Sequence, residues 1–205
     1  PVGRLLFRVR IFGSLADHLR YHREAWHDPH PPRSFVYHHA TDPTRREVVG
    51  YIKSRGPFFE SLRHEGFHQV FRHVIAYPPQ WLNEGLAEYV EAACFDRTAE
   101  GYVPQIHRGW ARQLREFVGP GRRYSYVPMD RLVRLSKEAW LAESHSTYAL
   151  SWAVVWMLRH EVAGGREWLR RYVAALDPLA SEAENKRRGR AAVGGDAGEG
   201  CTGEL

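Results

Sequence analysis

Cysteine is rare in this chain of 205 residues, where Cys94 and Cys201 are the only two. Two thiols form at most one bridge, so the sequence excludes a disulfide framework and also a zinc site built from several thiolates. The redox compartment of the protein therefore stays open.

Lysine is also scarce, because Lys53, Lys137 and Lys186 are the only lysines among 29 basic residues. The formal net charge of +5 is small and gives little support to a nucleic-acid partner. Binding through Arg122-Arg123 and Arg187-Arg188 is a third and weaker hypothesis, since no stacking aromatic residues are interleaved with the second pair. We expect no nucleic-acid partner.

Long hydrophobic runs are absent as well. The longest one, from Tyr148 to Leu158, is far shorter than the roughly 20 residues that span a bilayer, and it predicts a buried helix. We therefore expect no membrane segment. The sequence starts at Pro1 and not at a methionine, so removal of a signal peptide or a membrane anchor stays open. Neither the localisation nor the oligomeric state follows from any pattern in the chain.

The composition favours one folded domain followed by a tail. With 43% hydrophobic and 13% aromatic residues, the chain is long enough for one good core and too short for two large domains. Beyond Pro178 the sequence turns to Glu, Arg, Gly and Ala without hydrophobic periodicity. We predict a catalytic-sized domain over residues 1–177 and a disordered tail over residues 178–205.

The first part of the chain has the patterns of a small sheet. Apolar residues alternate with arginine from Leu5 to Phe12, which is the period of a half-buried strand, and a helix is predicted from Leu15 to Trp26. Two β-like runs, Phe35 to His39 and Glu47 to Ile52, are separated by a turn sequence and predict a hairpin.

The later part of the chain has mainly helical periodicity. A helix is predicted from Phe58 to about Tyr77, where Pro78-Pro79 end it, and a second from about Trp81 to Phe95. Further helices are predicted at residues 106–118, 148–161 and 166–176. The fold class expected is α+β, with a small mixed sheet ahead of a mostly helical half.

The first long helix contains His64-Glu65-Gly66-Phe67-His68, an H-E-x-x-H pattern. Residues four apart lie on the same helix face, so both imidazoles can reach one tetrahedral Zn²⁺ ion. Glu65 is placed next to the metal, where its carboxylate can accept a proton from zinc-bound water and pass it to a leaving group. The alternative is a helix that carries two unrelated histidines.

A catalytic zinc takes three protein ligands, and the next helix offers Glu84 as the third. Glu88, one turn further on, is predicted to accept the free N–H of a ligating histidine. The alternative is that Glu84, Glu88 and Glu91 form a solvated acidic stripe. His73 is the rival ligand, but the metzincin pattern requires a glycine and a histidine six residues past His68, and this chain has neither at the required spacing.

These residues resemble the gluzincin metallopeptidases, since H-E-x-x-H is followed by a Trp-Leu-Asn-Glu-Gly segment like the glutamate-bearing helix of zinc aminopeptidases. The resemblance covers about residues 57–95. It implies a zincin-like fold, His64, His68 and Glu84 as ligands, and Glu65 as general base. Only 15 residues separate His68 from Glu84, and the Gly-x-Met-Glu-Asn motif is absent, so aminopeptidase specificity is not implied.

The wider layout is also similar to a bacterial family proposed to be peptidases and classed only as a domain of unknown function. The shared features include Leu62-Arg63-His64-Glu65, Gln69 and the run from Tyr148 to Trp152. That run suggests Tyr148 as the donor that stabilises the oxyanion, with His145 as a second candidate. The alternative is that Tyr148 is a core aromatic residue.

The function expected is zinc-dependent hydrolysis of peptide bonds in a peptide or protein substrate. The hairpin over residues 35–52 would offer an edge strand to an extended peptide, with His38 and His39 at its rim. The competing hypothesis is a catalytically inactive zinc-binding domain with a structural or peptide-binding role. The sequence favours the enzyme, because a structural zinc site normally has a fourth protein ligand and none is evident.

Overall fold

The structure, a computed structural model, describes residues 7–52, 55–118 and 127–194. It is a mixed α+β fold, as the sequence predicts. The Cα positions form two compact units. The sheet unit comprises Pro1–Val74 and Ala87–Ile106, and the helical unit comprises Ile75–Leu86 and His107–Leu205.

The sheet unit is built on a three-stranded mixed sheet with the strand order β1-β3-β2. β1 (Arg8–Phe12) runs parallel to β3 (Glu47–Tyr51), and β2 (Val36–His38) runs antiparallel to it. The predicted hairpin is thereby confirmed, with a 3-10 turn at Pro43–Arg45 between its strands. The central strand β3 is mostly buried, which follows from its apolar sequence.

Two helices pack against this sheet. α1 (Leu15–Ala25) begins at Ser14, whose hydroxyl oxygen accepts the N–H of Asp17 as an N-cap. α2 (Arg55–Val74) carries the H-E-x-x-H residues and contacts both β2 and β3. The sheet therefore supports the helix of the candidate site directly.

Histidines take the place of apolar residues between α1 and the sheet. His18 and His22 have no exposed surface. His18 Nε2 donates to Pro32 O at 2.9 Å, and His22 Nδ1 lies 3.2 Å from Nε2 of His38. Among the described residues, His18 Nδ1 and His22 Nε2 have no hydrogen-bond partner. Burial, helped by the neighbouring His18 and His38, lowers the pKa of His22 from its usual 6.5 to about 4.

The second predicted helix is shorter than expected. α3 runs over Gln80–Glu91, and the chain then enters a hairpin of β4 (Cys94–Asp96) and β5 (Gly101–Val103). The predicted end of the helix at Phe95 is therefore wrong. The carboxylate of Asp96 accepts the N–H groups of Thr98 and Ala99, so the turn draws on local hydrogen bonds that hydrophobic periodicity does not reveal.

The helical unit is organised around α7 (Ser144–His160), a largely apolar helix. Four shorter helices pack against α7: α4 (Arg108–Val118), α5 (Met129–Leu132), α6 (Lys137–Ala142) and α8 (Gly165–Ala174). Trp140, Ala149 and Val155 are fully buried here, so the unit has its own hydrophobic core.

The predicted tail is corrected over its first half, because α9 (Glu182–Gly194) is a helix packed on α8. Its buried residues are Asn185, Lys186 and Gly189. None of the three has a hydrophobic side chain, so hydrophobic periodicity does not detect the helix. The sequence therefore predicts disorder there. The rest of the predicted tail, residues 195–205, lies outside the described residues.

Within the described ranges, no helix combines the length and the apolar character needed to cross a membrane.

The burial of His22 predicts a pH-dependent stability. The unfolded chain binds a proton at His22 below pH 6.5, whereas the folded chain resists it until about pH 4. The free energy of unfolding should therefore fall as the pH drops through this window, by about 3 kcal/mol at most. Above pH 6.5 the stabilising contribution is fully present.

Urea unfolding at several pH values would measure this effect. His22→Gln, which cannot titrate, should flatten the dependence between pH 6.5 and 4, while the matched change at the exposed His30 should leave it as in the wild type. If the free energy of unfolding changed equally with pH in the wild type and in His22→Gln, the effect could not be assigned to His22.

Candidate metal site

Two imidazoles of α2 meet at one point on the helix surface. His64 and His68 lie one turn apart, and their Nε2 atoms are 3.1 Å from each other. The rings are nearly perpendicular, at 83°. His68 is buried and His64 is half-buried. Their ring nitrogens are therefore in position to share one ligand on the same side of the helix.

The other nitrogen of His64 has a carboxylate partner. His64 Nδ1 donates to Oε2 of Glu91 at 2.8 Å, whereas Oε1 of Glu88 is 3.8 Å away. At His64 the acceptor is therefore Glu91, one turn further along α3 than Glu88. The role of Glu88 as an acceptor for a ligating histidine stays a prediction. A carboxylate on Nδ1 fixes the tautomer of the ring, so that Nε2 presents its lone pair.

Glu91 is itself held in place by the end of its own helix. The guanidinium of Arg63 donates from Nε and Nη2 to the backbone oxygen of Glu91, at 2.9 and 2.6 Å. A cation at the last carbonyl of a helix also complements the helix dipole. Arg63 therefore anchors the residue that orients His64.

Two groups of side chains have the geometry to hold a metal ion. The ligand atoms of His64, His68 and Glu84 all lie within 4.8 Å of one another, and so do those of His64, Glu88 and Glu91. The first group contains the three ligands that the sequence predicts. The second shares His64 and contains the carboxylates that face its Nδ1.

The carboxylate of Glu84 is buried among amides of its own helix. Its Oε1 accepts from Nε2 of Gln80 at 3.1 Å and from Nδ2 of Asn83 at 2.9 Å. All three side chains are buried. Sequence reasoning missed both amides, although Gln80 stands four residues before Glu84 and thus on the same helix face.

The carboxylate of Glu65 contacts the sheet. Its Oε2 accepts the backbone N–H of Tyr37 at 2.7 Å. Tyr37 is the middle residue of β2, the strand at one edge of the described sheet. The residue predicted as general base is therefore tied to the strand predicted to bind peptide.

Of the two histidines expected at the rim of the hairpin, His38 differs from the expectation. His38 stacks on Trp26 with the ring centroids 3.9 Å apart and contacts His22, so it belongs to the histidine cluster of α1. His39 is half-buried and lies beside Tyr37. The rival ligand His73 is exposed, contacts Phe7, and belongs to neither metal group.

Tyr148 lies on α7 in an aromatic cluster. Its ring is parallel to that of Trp110 at 6.2 Å and perpendicular to that of Trp140 at 4.5 Å. It is half-buried. Its role as an oxyanion donor stays a prediction. The side chain of His145, the other candidate, lies outside the described part of the chain.

The donor set suits a divalent metal. Two neutral imidazole nitrogens and one carboxylate oxygen are the ligands that catalytic zinc sites use, and a carboxylate on the free nitrogen of a ligating histidine is their usual support. His64, His68, Glu84 and Glu91 provide this combination.

Comparison with protein families places this chain in a family. A family model described as "Protein of unknown function (DUF1570)" matches residues 59–175, which are more than half of the chain and include every candidate metal ligand. No curated protein and no solved structure gives a match to the chain.

Gly85, next to Glu84, sits where α3 comes close to α7. A Cβ atom at this position would lie 2.5 Å from the backbone oxygen of Ser151. A Cβ at Gly66, the glycine of the H-E-x-x-H segment, would meet nothing within 4 Å. A side chain at Gly85 would therefore clash with α7, whereas a side chain at Gly66 would meet open space.

We expect Gly85→Ala to lower the free energy of unfolding by about 1–3 kcal/mol, since a backbone atom cannot yield to the methyl group. Gly66→Ala is the matched control and should raise stability by up to about 1 kcal/mol through helix propensity. Thermal unfolding of both variants measures this. A neutral Gly85→Ala would show that α3 and α7 are less closely packed than described.

Proposed function

Because this chain belongs to the DUF1570 family, whose description assigns no function, we propose from its own site that it is a zinc-dependent hydrolase of peptide bonds. The observation that carries the proposal is the 3.1 Å approach of the Nε2 atoms of His64 and His68, with a third ligand available in Glu84. Such an approach is favourable when both nitrogens face a common cation.

The choice of zinc follows from the ligand types. Imidazole and carboxylate without thiolate suit zinc, and three protein ligands leave the open position that distinguishes a catalytic from a structural site. When bound, zinc supplies a Lewis acid that polarises a carbonyl group and lowers the pKa of a water molecule. His64, His68 and Glu84 would hold the ion, and Glu91 would keep the His64 ring oriented.

Glu65 is the residue that we assign to proton transfer. Glu65 directly follows the proposed ligand His64 on α2, and it belongs to neither metal group. There it would accept a proton from the attacking water and deliver it to the leaving amine. The N–H of Tyr37 on Oε2 restricts the rotation of the carboxylate and so holds it ready.

The edge strand β2 is the proposed platform for the substrate. It pairs with β3 on one side, and an extended peptide adding to its other side would run alongside the strand that contacts Glu65. Strand addition recognises main-chain groups, which fits a substrate of the peptide class. Tyr148 stays the proposed donor to the oxyanion.

The first test replaces the general base. Glu65→Gln should lower turnover of a generic peptide substrate by about 10²–10⁴-fold, because the amide cannot accept the proton. The metal content of the purified variant should equal that of the wild type, since Glu65 is not a ligand. Casein or a pooled fluorogenic peptide library, with and without a chelator, provides the activity assay.

The control for this test is His64→Ala, which should lose the metal and the activity together. A Glu65→Gln protein without metal would contradict the role of Glu65. A wild-type protein that binds zinc but cleaves no peptide, with or without added metal, would support the competing hypothesis of an inactive zinc-binding domain.

A second test concerns the support of His64. Glu91→Ala should weaken zinc binding by about 10–100-fold, the usual cost of removing a carboxylate that orients a ligating histidine. Glu88→Ala, on the same helix but 3.8 Å from Nδ1, should weaken it less. Zinc affinity from competition with a chromogenic chelator measures both. A larger loss for Glu88→Ala would reverse the two assignments.

A further inference from the structure

The helix α9 lies outside residues 59–175, yet it holds the beginning of the helix that carries Glu84. We propose that α9 is a positioning element for the metal-ligating carboxylate of Glu84, and that Glu182 acts on that carboxylate through Gln80. The proposal rests on the proposed function, which assigns Glu84 as a ligand. It gives a role to a segment whose sequence predicts a disordered tail.

The first link is a buried asparagine. Asn185 has no exposed surface, and its Nδ2 donates to the backbone oxygens of Tyr77 and Asp177, both at 3.1 Å. Its Oδ1 accepts the N–H of Asp177 at 2.8 Å. The backbone N–H of Ala76 donates in turn to Pro178 O at 3.1 Å. The turn that leads into α3 is therefore fastened to the segment before α9.

The second link reaches the first residue of α3. Oε1 of Glu182 accepts the backbone N–H of Gln80 at 3.2 Å and an ion pair from Lys186 at 2.7 Å. Lys186 is buried and also donates to the backbone oxygen of Leu135. A carboxylate at the N-terminus of a helix satisfies an N–H that lacks an intrahelical acceptor and complements the helix dipole. Glu182 thus fixes the backbone of Gln80.

The third link is the side chain of Gln80, whose Nε2 donates to Oε1 of Glu84 at 3.1 Å. Since the backbone of Gln80 is held by Glu182, the position of its amide is set by α9. A donor at a fixed place orients the plane of the accepting carboxylate. Neighbouring groups that orient a ligand in this way raise the affinity for the metal above what the ligands alone would give.

α9 packs closely on its neighbouring helix, so its position can affect the position of α3. A Cβ atom at Gly189 would lie 2.4 Å from the ring of Tyr172, so the helix backbone rests directly on α8. Tyr172 in turn contacts Trp81 of α3 edge-on, with the ring centroids 5.3 Å apart. Both aromatic residues are buried. α9 therefore has little room to shift relative to α3.

The test is the affinity for metal alone, measured on the full chain. Glu182→Gln keeps the shape of the side chain but removes the charge that binds Lys186 and the N-terminus of α3. We expect zinc affinity to fall about tenfold, the lower end for residues that support ligands. The visible absorption of bound Co²⁺, which responds to ligand geometry, should also change.

The matched control is Glu184→Gln in the same turn of α9. Glu184 forms ion pairs with Arg187 and Arg188 of its own helix. This variant should keep the wild-type zinc affinity and cobalt spectrum. A loss equal to that of Glu182→Gln would show that any charge change in α9 has the same effect, and would overturn the proposal.

A double-mutant cycle separates positioning from general stability. Gln80→Leu removes the amide donor to Glu84 and should weaken zinc binding by itself. If Glu182 acts through Gln80, adding Glu182→Gln to Gln80→Leu should weaken binding little further. Additive losses would overturn the proposed route. Thermal unfolding of the metal-free proteins shows whether each variant is folded. If Glu182→Gln does not fold, Lys186→Met tests the same ion pair.

The outcomes also distinguish this proposal from the proposed function. A wild-type protein that binds no zinc or cobalt would overturn both. A wild-type protein that binds zinc, with unchanged affinity in Glu182→Gln and Lys186→Met, would overturn only the role of α9.

Discussion

The site depends on one constraint, the placement of two imidazoles one turn apart on a helix supported by a sheet. His64 and His68 bring their Nε2 atoms within 3.1 Å, a distance at which one ring can donate to the other or both can face one cation. The groups around them follow from this constraint. Glu91 accepts from the other nitrogen of His64, and Glu84 and Glu88 are buried acids on the same helix as Glu91. Burying carboxylates is costly without compensating charge or donors, and here Glu84 accepts from two amides while Glu91 accepts from His64. Together with the imidazoles, these acids form groups that could hold a metal ion.

Much of the fold follows from periodicity and from the two prolines before α3. The alternation at residues 5–12 and the runs on either side of Pro43 give β1, β2 and β3 within a few residues. The 3.6-residue period gives α2, which ends at Val74, a few residues before the end at about Tyr77 predicted from Pro78-Pro79. The grouping of His64, His68 and Glu84 also matches the arrangement expected from spacing. Spacing along a helix is local geometry, which a sequence specifies well.

The features that the sequence did not predict depend on hydrogen bonds between distant segments. Glu91 and Glu88 lie on similar helix positions, and only the three-dimensional structure distinguishes 2.8 Å from 3.8 Å. α9 is held by Asn185 and Lys186, two polar residues that hydrophobic periodicity counts as solvated. Helix formation there is stabilised by tertiary contacts, which local propensity does not contain. The same limit applies to Gln80, because its backbone N–H donates to Glu182 and its side-chain amide donates to Glu84.

The position of α9 has a consequence for where the domain can be cut. A shortened protein ending at residue 175, the last residue of the family match, would keep every candidate metal ligand. It would lose the carboxylate at the start of α3 and the amide that fastens the preceding turn, and the ring of Tyr172 would become accessible to water. The boundary of a sequence family and the boundary of a folding unit are thus different in this protein, and the second lies at least as far as Gly194.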